Sequence, residues 1–313
     1  MAKVLCVGGP TATGKTKMGV LLAQKCGGEV VSVDSMQIYR GMTIGTAAPT
    51  PEEMENIPHH MIAVADPSEQ WSAARYAVEA TAVIDDILAR GKLPVLVGGT
   101  GLWLDAVIRG HGFAGGFAGG AVRGQLQREL EQGGIEPLLA ELRRVDPDSA
   151  RRLHPADTKR ILRALEVWRE TGKTISQHNA ETRDIPPRYD AVYLGFQFRD
   201  REDMRRLIDL RVDKMGAEGL LEEVRALLSS GIPPTATALQ AIGYKEFLGV
   251  AAGERTEAEA IAEVKLRSRQ YAKRQLTWLR RNPDIHWFYW EKERDFARAL
   301  QFSTEILSAE GLC

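Results

Sequence analysis

Cysteine is scarce: Cys6, Cys26 and Cys313 are odd in number, far apart and form no C-x-x-C pair in 313 residues. Neither a disulfide framework nor a zinc site is indicated, and a reducing compartment is the expected setting. No apolar run reaches the length of a membrane span, and the first strand starts at residue 2, leaving no room for a signal peptide, so a cytoplasmic protein is expected. An excess of either charge is missing too. Lys and Arg total 41 against 42 Asp and Glu, a formal net charge of −1, so any polyanion-binding surface has to come from local concentration of cations. With 44% hydrophobic and 27% charged residues, the chain has the make-up of a globular protein long enough for a large core and two structural parts.

What is present is concentrated first at the N-terminus. Ala2 to Gly8 (AKVLCVG) reads as a short apolar strand running into Gly9, Pro10, Thr11, Ala12, Thr13, Gly14, Lys15 and Thr16, which fit G-x-x-x-x-G-K-[ST]. The glycines let successive backbone N–H groups face one anion, and the helix opening at Lys15 adds its positive end. Lys15 supplies a full charge to a terminal phosphate, and the Thr16 hydroxyl is placed to ligate Mg²⁺.

The next segments repeat a strand, turn, helix grammar. Glu29 to Val33 reads as a buried strand ending in Asp34-Ser35-Met36-Gln37. Ligands of open α/β sheets sit beyond the carboxyl ends of strands, so Asp34 is expected at the phosphate cleft as a general base or substrate clamp; a helix cap or turn former is the alternative. His59 and His60 are neighbours on an extended stretch, point to opposite faces and make a poor chelate, so satisfied loop histidines are expected rather than a metal site. Ser72 to Arg90 carries a helical stripe, Pro94 to Val97 a core strand, and Gly98-Gly99-Thr100-Gly101 leads into another helix; Thr100 is either a cap or a cleft residue.

From Gly110 the composition changes. Residues 110–120 (GHGFAGGFAGG) read as a flexible connection, and helical patterns follow over 122–132, 135–145 and 158–171 without strands. In the last of these Ile161, Leu165 and Trp168 form the apolar face, while Lys159, Arg160 and Arg163 crowd the first turn, where cations oppose the helix dipole. That placement favours an anionic partner over an ordinary charged surface. Residues 191–198 return to strand alternation, and Arg201 to Ser229 form a long helix broken near Gly216 or Gly219. Arg211 within it is either drawn inward to meet an anion or paired at the surface with Asp213 or Glu218. Residues 240–247 read as a turn into a short helix. Lys265 to Arg281 then hold seven basic residues and no acid, with Val264, Tyr271 and Trp278 packing one side and Arg267, Arg274 and Arg281 flanking it; a strand over 285–290 and a terminal helix close the chain.

The expected fold is therefore α/β: a P-loop NTPase-like parallel sheet flanked by helices, formed by 1–110 and 187–313 with basic C-terminal helices, and carrying an all-helical insertion domain at 111–186. A phosphate grip beside a carboxylate would serve a P-loop kinase of a small metabolite. The two basic surfaces instead imply a large anionic second substrate, namely RNA.

Taken in order, GPTATGKT, DSMQIYRGM, GGTGLWLDA, DTKRILRALEVW, GYKEF and RQYAKRQLTWLR resemble the bacterial tRNA dimethylallyltransferases across about 280 residues. The resemblance implies transfer of the dimethylallyl group of dimethylallyl diphosphate to N6 of the adenosine adjoining the anticodon, position 37 of the tRNA, with release of diphosphate and use of Mg²⁺. It implies that Gly9 to Thr16 hold the diphosphate and that Thr16 and Arg211 act on it. Asp34 would take the amine proton. Asp34, Ser35, Met36 and Gln37 would hold the adenine edge. Thr100, Arg123, the run Lys159, Arg160, Ile161, Leu162 and Arg163, and Gly243, Tyr244 and Lys245 would contact tRNA. A monomer is expected. One departure is FAGGFAGGAVRGQL, where the family has a proline-rich, acid-containing lead into the insertion.

Overall fold

The structure, a computed structural model, describes residues 1–110, 120–183 and 185–313. The glycine-rich connection expected at 110–120 lies, between its end residues, outside the described residues. Two compact units divide the chain: Met1–Ile108 with Arg188–Cys313, and Arg109–Pro187.

The first unit begins with β1 (Lys3–Gly8), α1 (Lys15–Cys26), β2 (Gly28–Val33), α2 (Pro51–Met54), β3 (His59–His60), α3 (Ala73–Ala89), β4 (Leu93–Gly98) and α4 (Gly101–Arg109). The helical unit holds α5 (Ala121–Gly133), α6 (Ile135–Val145), α7 (Pro147–Arg152), α8 (Thr158–Thr171) and α9 (Ile175–Arg183). The first unit resumes with β5 (Asp190–Phe198), α10 (Arg201–Ala217), α11 (Leu220–Ser229), α12 (Tyr244–Ala251), α13 (Glu257–Leu279), β6 (Ile285–Trp290) and α14 (Phe296–Ala309).

Six parallel strands form one sheet in the order β3-β2-β4-β1-β5-β6. Alternation along each strand feeds two cores. Val4, Cys6, Val31, Val33 and Leu96 face one side, whereas Leu5, Val7, Val30, Val95 and Val97 face the other, where α1 and α14 pack. Both faces are covered, which is why these strands read as nearly unbroken apolar runs. The register has a functional consequence. Gly8 pairs with Gly98, and Gly98 with Val33, so the loops that start at Gly9, Asp34 and Gly99 emerge side by side from one end of the sheet.

In the helical unit Leu126, Leu138, Leu139, Leu142, Ile161 and Leu165 form the core. Asp146 caps α7 through Ser149 N (3.0 Å) and also accepts from Ser176 N (3.1 Å), tying α9 to α7. Arg169 joins α5 to α6 by pairing with Glu129 and Glu141. Asp157 precedes α8 but makes no side-chain cap; its carboxylate takes Arg160 instead.

Several expectations need correction. Cys26, at the end of α1, and Cys313 form a disulfide, a pairing that a separation of 287 residues conceals in the sequence. The short elements α2, α7, α9 and β3 leave little periodic signal; β3 holds His59 and His60 beside β2, and His60 Nε2 lies 2.8 Å from Glu29. Ile161 and Leu162 are 0% and 2% exposed, so their side chains build the core of the helical unit and cannot face RNA.

Candidate active site

The phosphate loop is braced from behind. Gly14 adopts φ 81°, a left-handed conformation that only glycine takes cheaply, and α1 starts after it with no side-chain cap, leaving first-turn N–H groups available to an anion. Thr13 is fully buried and donates from its hydroxyl to Pro10 O (2.8 Å), while Trp290 Nε1 donates to Thr13 O (2.8 Å). Ala12 is buried as well, so Pro10, Ala12 and Thr13 set the shape of the loop and Thr11, Lys15 and Thr16 face the cleft.

Gln275 is a residue that reading the sequence missed. It sits on α13, accepts from Thr11 N (2.9 Å) and donates to Gly99 O (3.3 Å), joining the loops after β1 and β4. Its signal was present: of the two neutral amides amid seven cations, Gln275 is the one in line with the buried Val264, Ala272 and Leu279.

Beyond the loop lies a cavity of about 280 Å³. Lys15, Thr16, Asp34, Gln37 and Arg211 line its polar side. Ile208, Val212, Met215, Val264 and Ile242 supply an apolar wall. Arg211 points inward, not to the surface: Asp213 pairs with Lys265 and Glu218 with Lys214. Its Nη2 donates to Thr46 O at 3.4 Å, and its Nε is buried with no partner among the described residues. A buried, unpaired guanidinium nitrogen beside a phosphate loop fits a missing anion.

Electrostatics agree with that. Burial first and then the nearby Arg211 push the Lys15 ammonium down to about 8, against the opposing pull of Asp34. Burial also lowers Arg211, against the pull of Asp34 and Glu53. Two cations thus share a poorly solvated site with insufficient negative charge.

Asp34 Oδ1 accepts from Met36 N (2.9 Å) and Gln37 N (3.4 Å), which makes it a turn former as well as a cleft residue. Its charge is felt by Lys15, Arg211 and Tyr271. Ser35 and Met36 line the same cavity, and Ser35 N donates to Thr100 Oγ1 (3.3 Å). Gln37 faces the cavity with its amide engaged, accepting from Ser32 (3.0 Å) and donating to Thr46 O (3.3 Å) and Ala47 O (3.2 Å).

The surface candidates divide. Lys245 is exposed, whereas Tyr244 is fully buried and donates to Glu223, so it has no face for RNA. The seven cations, five on α13 with Arg280 and Arg281 just past its end, are unequal. Lys265 pairs with Asp213 (2.6 Å), Arg267 with Glu263 (3.2 Å), Arg269 with Asp209 (3.4 Å), and Arg280 donates to Gln197 (3.0 Å). Arg274 and Arg281 lie over the rings of Tyr271 and Trp278, and Lys273 is exposed. The expected packing stripe also shifts: Val264 is buried, but Tyr271 lines the cavity and Trp278 is half-buried, because a seven-residue repeat drifts about 20° per heptad around a straight helix. In the helical unit Lys159 and Arg160 are exposed, Arg163 donates to Glu166 (2.8 Å), and Arg123 approaches the same buried carboxylate (3.9 Å).

A phosphate loop, a carboxylate at the next strand end and an inward arginine against an apolar wall define a P-loop α/β enzyme of group transfer. An IPP transferase family model matches residues 37–282, and an isopentenyl transferase model matches 2–65. The chain belongs to the IPP transferase family. It is 44% identical to a tRNA dimethylallyltransferase of Pelotomaculum thermopropionicum over 97% of this chain and 95% of that one. A tRNA dimethylallyltransferase of Geobacter sulfurreducens is 46% identical, with 91% of each chain covered. Among solved structures, a full-length tRNA isopentenylpyrophosphate transferase of Bacillus halodurans superposes with TM-score 0.73 at 39% identity, covering 99% of this chain and 98% of that one. A eukaryotic dimethylallyltransferase acting on tRNA gives 0.82 at 29% identity, covering 99% and 80%.

Proposed function

We propose that this chain transfers the dimethylallyl group of dimethylallyl diphosphate to N6 of the adenosine at position 37 of tRNA, releasing diphosphate. The observation that carries the reading is the two-sided cavity. Cations and a phosphate loop suit the diphosphate, and the wall of Ile208, Val212, Met215 and Val264 suits a five-carbon hydrocarbon, which the acceptor site of a small-metabolite kinase has no need for.

In the reaction the C1–O bond to the diphosphate breaks as the N6–C1 bond forms. The amine proton passes to the Asp34 carboxylate. Charge gathering on the departing diphosphate is met by Lys15, Arg211 and the loop N–H groups of α1. Divalent metal is common in this family's chemistry. The donor set here suits Mg²⁺, a hard cation that takes oxygen ligands and is commonly held by few protein groups plus substrate phosphate: the Thr16 hydroxyl and the Asp34 carboxylate both line the cavity. The Thr16 hydroxyl would hold it, and it would supply positive charge to the diphosphate. Within this reading Thr100, Lys245, Lys273, Arg274 and Arg281 of the first unit contact tRNA, and Lys159, Arg160, Arg163 and Arg123 of the helical unit do so independently. The enzyme acts as a cytoplasmic monomer; no helix of the described residues is long and apolar enough to cross a membrane.

Incubation with labelled dimethylallyl diphosphate and either bulk tRNA or AMP tests this. Label is expected in tRNA. Label in AMP alone would make it an adenylate prenyltransferase, and label in neither would remove prenyl transfer altogether.

A further inference from the structure

Glu223, on α11, is a carboxylate that none of the roles above uses, yet four donors converge on it. Its Oε2 accepts from Thr43 N (2.8 Å) and Ile44 N (2.9 Å), and its Oε1 from Gly45 N (3.0 Å) and the Tyr244 hydroxyl (2.5 Å). Three successive backbone N–H groups aimed at one anion make a nest, here filled by a side chain about 180 residues further along the chain. Tyr244 completes the seat. It is fully buried, and burial together with the Glu223 charge raises its phenol, so it remains a donor. A Cβ at Gly45 would come within 2.4 Å of the Tyr244 ring, so the loop can approach this closely only with glycine there.

The seated loop continues directly into the active site. Thr46 O receives both the Gln37 amide (3.3 Å) and Arg211 Nη2 (3.4 Å), and Ala47 O receives the Gln37 amide as well (3.2 Å). With Nη2 held by that carbonyl, the unpartnered Nε of Arg211 is left for the cavity. Without the nest, residues 43–47 would have three N–H groups to satisfy elsewhere, and the carbonyl that orients the guanidinium would move with them.

We propose that Glu223 is a positioning residue for prenyl transfer: by seating residues 43–47 it fixes the Thr46 carbonyl that turns Arg211 toward the departing diphosphate. This rests on the reading of the cavity as a diphosphate site. Tyr244, implied by resemblance to be a tRNA contact, belongs to the same device.

The test is a double-mutant cycle of Glu223→Gln with Arg211→Ala, read as the Kd of inorganic diphosphate with Mg²⁺ by calorimetry and as the KM for dimethylallyl diphosphate. Gln keeps the shape and turns an amide N–H₂ toward the donors. Glu223→Gln is expected to weaken diphosphate binding about tenfold and raise that KM similarly, to leave tRNA affinity within about twofold, and to add less than about twofold in the Arg211→Ala background. An equal loss in both backgrounds, or unaltered diphosphate affinity, overturns the proposal. Should Glu223→Gln fail to fold by circular dichroism, Tyr244→Phe, which removes one bond of four, replaces it in the cycle with an expected loss of about threefold and the same deciding comparison. Wild-type protein that binds no diphosphate would overturn the diphosphate reading itself, an outcome distinct from wild-type binding with an indifferent Glu223→Gln.

Discussion

Replacing Lys15 with methionine should stabilise the ligand-free protein while destroying its grip on diphosphate. Lys15 falls from 10.5 to about 8 chiefly through burial and then through Arg211. One pKa unit corresponds to about 1.4 kcal/mol, so holding the charge in the folded state costs at most about 3.5 kcal/mol, and about 1–3 kcal/mol once partial solvent access is allowed for. The sign follows from linkage. Between about 8 and 10.5 the unfolded chain still holds a proton that the folded one has released, so the stability of the ligand-free protein rises with pH across that window. Below about 8 both states are protonated and the penalty is constant and complete. Lys15→Met keeps the length of the side chain and removes this penalty, which for a chain of this size should raise Tm by about 1.5–5 °C at neutral pH. Diphosphate reverses the order, because it supplies the charge that Lys15 and Arg211 lack. Saturating diphosphate should raise the wild-type Tm and leave that of Lys15→Met nearly unmoved. Calorimetric scans of both proteins with and without diphosphate decide the matter. A Lys15→Met protein less stable than wild type without ligand, or one showing the same ligand-induced shift, would refute the electrostatic argument.

Two further expectations concern the base and the RNA surface. Asp34→Ala should lower kcat by about 10²–10⁴-fold while tRNA affinity stays within about threefold, measured by single-turnover labelling and filter binding; unchanged turnover would remove Asp34 from the chemistry. Replacing Lys273, Arg274 and Arg281 together by alanine should flatten the slope of log K for tRNA against log salt by about 2, since among the described residues neither a carboxylate nor, as for Arg280, a side-chain amide holds these cations. Arg267, already paired with Glu263, should change that slope little, and an unaltered slope in the triple variant would shift the RNA surface to the helical unit.

What could be read from the sequence tracks the range over which each interaction acts. Helix α8 (Thr158–Thr171) and strand β6 (Ile285–Trp290) match their expected bounds residue for residue, because periodicity and turn chemistry are local. The phosphate loop is equally local: eight consecutive residues bend one backbone. Asp34 lies one step further away, since its place at the cleft depends on the pairing of Val33 with Gly98, which the rule about strand ends supplies without naming the register. The loop of residues 43–47 lies beyond such reach. Neither its own residues nor the helical pattern of α11 says that Glu223 fills its nest, and GYKEF reads as a surface motif until Tyr244 is found buried against Gly45.

The same reasoning explains why Arg211 stayed ambiguous. Its neighbours on α10 offered Asp213 and Glu218 as partners at helical spacing, and only the tertiary structure shows those carboxylates taken by Lys265 and Lys214. Once they are withdrawn, the guanidinium is left with one carbonyl and a nitrogen that nothing among the described residues satisfies. A buried cation tolerates that only where an anion visits, so the missing partner is a more specific statement about the ligand than any bond the side chain makes.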